Sequence, residues 1–170
     1  MPAINDGTSA QLGTCTISRI EPSDIEALVL LCADHARYER AEYRPEGKAD
    51  SLRRALFTEP AKLAAWVAKI DGRLAGYTSA TIEFSTWLAG EYAHMDCLFV
   101  VEEYRGHGVG AALLAKIVQF ARDQGVDQVQ WQTPEWNERA RKFYRREGAK
   151  ERSKVRFTLD FSGNKLSLTG

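Results

Sequence analysis

Three groups of residues in this 170-residue chain have the types and spacing that chemistry needs. The first is Tyr104-Arg105-Gly106-His107-Gly108-Val109-Gly110, followed by apolar residues at 113, 114, 117, 118 and 121. That spacing is helical, so the glycines lie in a turn that opens a helix. Free N–H groups at a helix start bind anions, glycines let a phosphate come close to the backbone, and Arg105 adds a charge that can fork onto phosphate oxygens. The turn is therefore suited to a pyrophosphate. It lacks the Gly-Lys-Ser/Thr ending of a P-loop and the third glycine of a dinucleotide fingerprint. The second group is Asp96, a carboxylate inside an otherwise apolar run, costly there unless it is paired or used. It can bind an ammonium group or relay its proton through water; it can equally be a salt-bridged residue at a strand edge. The third is Tyr144, which shares one helix face with positions 136, 140 and 143. Its phenol is either a proton donor or a core tyrosine with a satisfied hydroxyl.

The elements that must carry these residues follow from periodicity and turn signals. Cys15 to Ile20 alternates as a first strand. Pro22-Ser23-Asp24 opens a helix, capped by Ser23 or Asp24, that runs to about Tyr43. A turn at Arg44-Pro45-Glu46-Gly47 precedes a second helix from Ala49 to Phe57, stopped before Pro60. Leu63 to Ile70 is a strand and Asp71-Gly72 a hairpin turn. Leu74 to Phe84 and Tyr92 to Val101 are the next strands. A helix over 109–124 with Gly125 as C-cap, a strand Asp127 to Gln132, a helix over 137–147 and a strand Lys154 to Phe161 complete the order β-α-α-β-β-β-α-β-α-β. Met1 to Gly13 is small and polar and reads as a flexible tail, leaving 14–170 as a single domain. The last ten residues carry no readable signal.

Bulk properties exclude several classes. The formal net charge is zero, with 44% hydrophobic and 27% charged residues, which argues against a nucleic-acid partner. Three widely spaced cysteines, Cys15, Cys32 and Cys97, fit buried thiols in a reducing compartment better than a disulfide framework or a metal site. No run approaches transmembrane length and no signal-peptide core opens the chain, so the expectation is a cytoplasmic protein without membrane partners.

Arg105-Gly106-His107-Gly108-Val109-Gly110 resembles the Arg/Gln-x-x-Gly-x-Gly/Ala motif of the GNAT acyl-CoA-dependent N-acyltransferases. Asn137-Glu138-Arg139-Ala140-Arg141-Lys142-Phe143-Tyr144, ending in Gly148-Ala149, is similar to that family's Asn-x-x-Ala-x-x-Phe-Tyr motif. The element order agrees from about residue 15 to 161. The resemblance implies the GNAT fold: an α+β protein, layered α/β/α, whose mixed, mostly antiparallel sheet has a splayed parallel strand pair. It implies acetyl-CoA as cofactor and acetyl transfer to a primary amine by direct attack in a ternary complex. Within the family the chain most resembles the spermidine/spermine (diamine) N-acetyltransferase subgroup, through Ala36-Arg37-Tyr38-Glu39, Trp87-Leu88-Ala89-Gly90 and the two motifs above. The amine is then diamine-, polyamine- or amino-acid-like. The alternatives are an antibiotic or natural-product amine and a non-catalytic acyl-CoA-binding module.

Acyl transfer to an amine needs a deprotonated amine, donors for the oxyanion and a proton for the thiolate. The resemblance gives Asp96 the first role, at the position of the subgroup's glutamate, and Tyr144 the last. It assigns the backbone of Leu98, Phe99 and Val100 to the pantetheine arm, with a Leu98 or Phe99 N–H as oxyanion donor. The turn from Arg105 and Gly106 through His107, Gly108, Val109 and Gly110 would hold the pyrophosphate. Asn137 would contact pantetheine or cap its own helix. Glu39 and Trp87 would meet the amine substrate together with Asp96, while Cys97 stands where the subgroup carries a second acidic residue. Lys142, Arg145 and Arg146 would either touch the cofactor's ribose phosphate or form a solvated face, and His35 and His94 stay open. Relatives of the subgroup imply a homodimer, with Trp87 and Tyr92 suited to its contact.

Overall fold

A computed structural model describes residues 13–159. The chain divides after Pro134 into two compact units.

The first unit holds one five-stranded sheet, in the order β1-β2-β3-β4-β5. Its strands are β1 (Cys15–Arg19), β2 (Ala64–Ile70), β3 (Arg73–Ser85), β4 (Gly90–Val100) and β5 (Val129–Gln130). The first four pair antiparallel, and β5 runs parallel to β4. Three helices cover it: α1 (Ile25–Tyr38), α2 (Lys48–Phe57) and α3 (Val109–Asp123). Ile25, Leu28, Leu31 and Leu56 of the first two helices pack with Ala65, Val67, Tyr77 and Phe99 on one face. On the other, Ala121 of α3 packs with Ala93 and Val126, and Trp66 meets Phe120 at 5.5 Å between ring centres. Alternate residues of β2 therefore reach opposite layers, which explains a strand that is apolar but for Lys69, whose ammonium pairs with the buried Asp24 at 2.8 Å. β1 lies at the edge of the sheet and Cys15 is exposed, against the expectation of a buried thiol.

The hairpin signal at Asp71-Gly72 forms as expected, with both residues at positive φ, 49° and 79°. Helix α1 stops five residues before the expected Tyr43. Arg40 adopts a positive φ of 59°, and the Arg40 and Ala41 N–H groups bond back to the Arg37 and Ala36 carbonyls. This is a Schellman ending on a residue that is not glycine, so no sequence signal marked it. At the end of α3 the same motif uses Gly125, with the Val126 N–H on the Ala121 carbonyl, as the sequence suggested.

The second unit carries α4 (Glu138–Arg146), closed by Gly148 at φ 90° with the Ala149 N–H on the Tyr144 carbonyl. The expected last strand, Lys154 to Phe161, is not formed within the described residues. Residues 151–159 are irregular and exposed, and 160–161 lie outside them. Val155, Phe157 and Leu159 keep the alternation of a strand, but no ladder partner accepts them, and alternation without one does not make a strand. The expected tail before Gly13 also lies outside the described residues.

Candidate active site

β4 is irregular where Asp96 stands. Ser79 pairs with Cys97 and Ala80 with Met95, so Asp96 is an extra residue in β4, a β-bulge. An insertion of one residue exchanges the faces of everything beyond it. Ala93 accordingly packs towards α3, whereas Cys97, Phe99 and Val101 pack with the cluster under α1 and α2. In an unbroken strand these four odd-numbered positions would share one face. Unbroken alternation would put Asp96 on one face with Leu98 and Val100, and the bulge removes that alternation. Asp96 is exposed; among the described residues its carboxylate accepts from the Cys97 thiol, 3.5 Å from Oδ2.

The bulge is held from below. Thr78 is fully buried, and its Oγ1 donates to the Cys97 carbonyl at 2.9 Å. Two residues earlier, Gly76 lies so close to β4 that a Cβ there would sit 2.6 Å from the Phe99 carbonyl oxygen. That carbonyl therefore faces β3, as do the Cys97 carbonyl and the Val101 N–H, which donates to Ala75. Main-chain groups alternate sides along a strand, so those of Leu98 and Val100 face away from β3. The Val100 carbonyl confirms this direction by accepting from Arg105 Nε at 2.7 Å.

On that outer side β5 pairs only with Ala93 and His94. Beyond His94 no described strand covers β4, so the two parallel strands separate at the bulge and leave Leu98 and Val100 on a bare edge. The chain then passes a 3₁₀ turn, Glu102–Tyr104, into the glycine turn. Gly106 and Gly108 have φ of 86° and 80°, with nothing within 4 Å of where a Cβ would be. α3 starts without a side-chain cap, and Ala112 N–H on the Gly108 carbonyl is the first bond of its ladder. The N–H groups before it have no intrahelical acceptor. His107 is exposed and the Val109 side chain buried. An open turn of free amides beside a bare strand edge fits a phosphate-bearing group with an amide-containing arm.

Arg105 turns its guanidinium over the rings of Tyr38 and Phe99, 4.5 and 5.5 Å from their centres. These rings belong to a cluster of titratable groups between α1 and β4. His35 Nδ1 is 2.9 Å from the Tyr77 hydroxyl and Nε2 is 3.4 Å from Glu39 Oε1. Its ring stacks on Phe99 at 5.0 Å. Burial first, then the neighbouring Cys97 and Cys32 thiols, push the Tyr77 phenol far up, so it remains a hydroxyl. Burial likewise raises the Cys97 and Cys32 thiols, and the Asp96 charge adds to both. These thiols stay protonated and make poor nucleophiles. Tyr43, pushed up to about 12 by burial and by Cys32, has a buried hydroxyl without a well-formed hydrogen bond.

The structure thus gathers Asp96, Leu98, Phe99, Val100, Arg105 and Glu39 around the C-terminal half of β4, with the turn from Gly106 to Gly110 following it. Trp87 is not among them: it stands 95% exposed at the tip of the β3–β4 hairpin, with Phe84 and Leu88 also exposed. The sequence leaves His35 open and gives no sign of Thr78, Tyr77 or Tyr43. Thr78 and Tyr77 lie within a strand, and the contacts of His35 and Tyr43 become visible only when α1 is laid over the sheet.

In the second unit Asn137 is buried and its side chain accepts from the Ala140 N–H at 3.1 Å, which makes it the N-cap of α4. Tyr144 is half-buried and tilts against Phe143, 5.1 Å between ring centres. Arg141 and Arg145 both bond Glu138 and Glu151. The two arginines hold the Glu151 carboxyl below its ordinary value, and Glu151 in turn raises Arg145. Arg146 pairs with Glu147.

The model of the acetyltransferase (GNAT) family matches residues 28–149. The chain is 27% identical over 128 residues to a thialysine N-epsilon-acetyltransferase of Caenorhabditis elegans, covering 75% of this chain and 78% of the relative. It is 27% identical over 131 residues to a D-amino-acid N-acetyltransferase of Saccharomyces cerevisiae, covering 75% and 80%. Among solved structures it is similar to an aminoglycoside N-acetyltransferase in complex with CoA, with a TM-score of 0.74 and 18% identity over 89% of this chain and 97% of that one.

Proposed function

The chain belongs to the acetyltransferase (GNAT) family, whose acyl donor is acetyl-CoA, and we propose that it acetylates the primary amine of a small diamine-, polyamine- or amino-acid-like molecule by direct attack in a ternary complex. The observation that carries this reading is the bare, bulged edge of β4 running into the open glycine turn. Free amides of the turn from Gly106 to Gly110 would hold the pyrophosphate, with Arg105 close by. The outward groups of Leu98 and the Val100 N–H would pair with the amides of the pantetheine arm, which Asn137 would also meet. Acetyl-CoA supplies an activated thioester carbonyl.

Asp96 takes a proton from the incoming ammonium group, directly or through a water it holds. As the amine nitrogen bonds to the carbonyl carbon, charge builds on the carbonyl oxygen, and the Leu98 N–H donates to it. Leu98 is preferred over Phe99 because the Phe99 carbonyl faces β3. Tyr144, given the acid role by its motif on α4, would pass its phenolic proton to the sulfur as the carbon–sulfur bond breaks, and would take back the second proton that the new amide nitrogen loses. Exposure of Asp96 supports its role, because an ionised carboxylate at the surface can meet a charged amine without first being desolvated. Glu39, bonded to His35, adds negative charge to the same face. The apolar hairpin tip of Phe84, Trp87 and Leu88 is assigned to a homodimer contact, which light scattering of the wild type and of Trp87→Ser tests.

The decisive experiment is thiol release from acetyl-CoA against spermidine, putrescine, lysine, single amino acids and aminoglycosides. Saturable turnover with one class supports the reading. Binding of acetyl-CoA without turnover on any of them would favour a non-catalytic acyl-CoA-binding protein.

A further inference from the structure

Glu39 stands where a helix least favours a carboxylate. It is the C-cap of α1, at the end whose dipole repels negative charge. Its neighbour lies four residues earlier: His35 Nε2 is 3.4 Å from Glu39 Oε1, and for a pair spaced by four the order with the acid second is the weaker one. Helix stability therefore does not explain the arrangement. Other elements hold it. His35 is half-buried, with Nδ1 2.9 Å from the Tyr77 hydroxyl of β3. Its ring stacks on Phe99 of β4, 5.0 Å between centres and 20° from parallel. Tyr38, next to Glu39 in the chain, also meets Phe99, at 6.3 Å between ring centres, and carries the Arg105 guanidinium 4.5 Å above it. These contacts pin the last turn of α1 to β4 at the residue after Leu98. The hydrogens on the ring follow from its partners. An ionised carboxylate only accepts, so Nε2 carries a hydrogen. A hydroxyl donates or accepts, so Tyr77 suits Nδ1 whether the ring is neutral or protonated.

We propose that His35 is a positioning residue of the amine site: it aims the Glu39 carboxylate at the incoming ammonium group, and Tyr77 and Phe99 hold it in that direction. This rests on the acetyltransferase reading, in which Glu39 meets the amine, and adds a residue to it. His35 acts through Glu39 and not on the substrate itself. A glutamate side chain loses rotamer freedom when it is fixed, so a carboxylate fixed before the amine arrives binds it without that cost. The stack on Phe99 also ties the carboxylate to the strand that carries the Leu98 amide. One rigid unit then locates both the ammonium group and the acyl oxygen.

The test measures kcat and KM at saturating acetyl-CoA for the amine that the wild type turns over best. In His35→Asn the shorter amide reaches the level of Nδ1 and falls short of Glu39. In His35→Gln it reaches the level of Nε2 and can still donate to Glu39. Glu39→Gln and the double variant His35→Asn/Glu39→Gln complete a cycle. Acetyl-CoA affinity and melting temperature are the controls for folding. His35→Asn is expected to raise KM about tenfold with kcat changed far less, the size of one charge-assisted contact. His35→Gln returns KM to within about threefold of the wild type. The double variant has the KM of Glu39→Gln alone, because a residue that acts through Glu39 has nothing left to aim. An unchanged KM in His35→Asn with a lowered melting temperature makes His35 structural only and overturns the proposal. Losses that multiply in the double variant, or a His35→Gln no better than His35→Asn, overturn it too. Each of these leaves the acetyltransferase reading in place. No CoA release by the wild type with any amine removes that reading, and the proposal with it.

Discussion

Replacing Thr78 with valine tests whether the β4 bulge is the part of the fold that catalysis depends on. The side chains are nearly the same size, so packing at this fully buried position is kept and only the hydroxyl is lost. Its 2.9 Å bond to the Cys97 carbonyl disappears. Removing one partner of a buried hydrogen bond costs about 1–3 kcal/mol, and the added methyl returns up to about 0.8 kcal/mol. A net loss of about 1–2 kcal/mol lowers the melting temperature by roughly 3–6 °C in a protein of this size. The kinetic effect should be disproportionate. The carbonyl set free belongs to the residue after Asp96 and before Leu98, so the bulge can relax and move both groups. Misplacement by about 1 Å can cost up to a hundredfold, and kcat/KM is expected to fall 10- to 100-fold. Thr78→Ser is the control: it keeps the hydroxyl, loses the methyl, and should melt lower with kinetics close to wild type. Melting curves and CoA-release kinetics on the three proteins decide the matter. If Thr78→Val melts lower but turns over like Thr78→Ser, the hydroxyl merely stabilises the sheet and the argument about the bulge is wrong.

Gly76→Ala places a methyl group 2.6 Å from the Phe99 carbonyl oxygen, a backbone atom that no rotamer change can move. A loss of about 1–3 kcal/mol is expected; a melting temperature within a degree of wild type would show that β3 and β4 can part freely. Asp96→Asn should leave stability unchanged, since the residue is exposed and its carboxylate accepts from a thiol. It should reduce kcat/KM by about 10²- to 10⁴-fold, the usual contribution of a positioned base; a loss below threefold in steady-state assays would end the role assigned to it. Tyr144→Phe should lower turnover about a hundredfold with little change in acetyl-CoA affinity measured by calorimetry, and an unchanged kcat would remove Tyr144 as the acid.

Signals confined to a few neighbouring residues were legible in the sequence. Asp71-Gly72, Gly125, the apolar stripe of α3 and the Asn137 cap each follow from local chemistry, and each is found where expected. What could not be read depends on contacts between distant segments. The Schellman ending falls on Arg40, where neither glycine nor asparagine marks it, so periodicity alone extends α1 to Tyr43. With that shortening, Tyr43 leaves the helix, and it stands under Lys48 with its hydroxyl towards Cys32. The last strand failed for the opposite reason: Val155, Phe157 and Leu159 carry the pattern, but a strand exists only with a ladder partner. The His35–Tyr77 bond joins residues 42 apart in sequence, a separation over which periodicity carries no information.

The bulge leaves no mark in the periodicity of β4, although the residue at its centre is anomalous in an apolar strand. Asp96 was read as a charge inside an apolar strand, with two ways out, pairing or use. A third exists in the backbone. Helices cover both faces of the first unit's sheet, so an ionised carboxylate in an unbroken β4 would have to enter one core or the other, at a cost of several kcal/mol. One extra residue removes the conflict: Met95 remains buried, Asp96 reaches solvent, and Cys97 and Phe99 return to the core on the opposite face. The same insertion coincides with the end of pairing to β5, leaving the Leu98 groups bare one residue beyond Cys97. A single irregularity thus accounts for the exposed carboxylate, the exchange of faces that brings Phe99 against His35, and the position of the amide donor. A strand that merely tolerated Asp96 would need only the first of these. All three together favour a bulge kept for the reaction over one that only accommodates a misplaced charge.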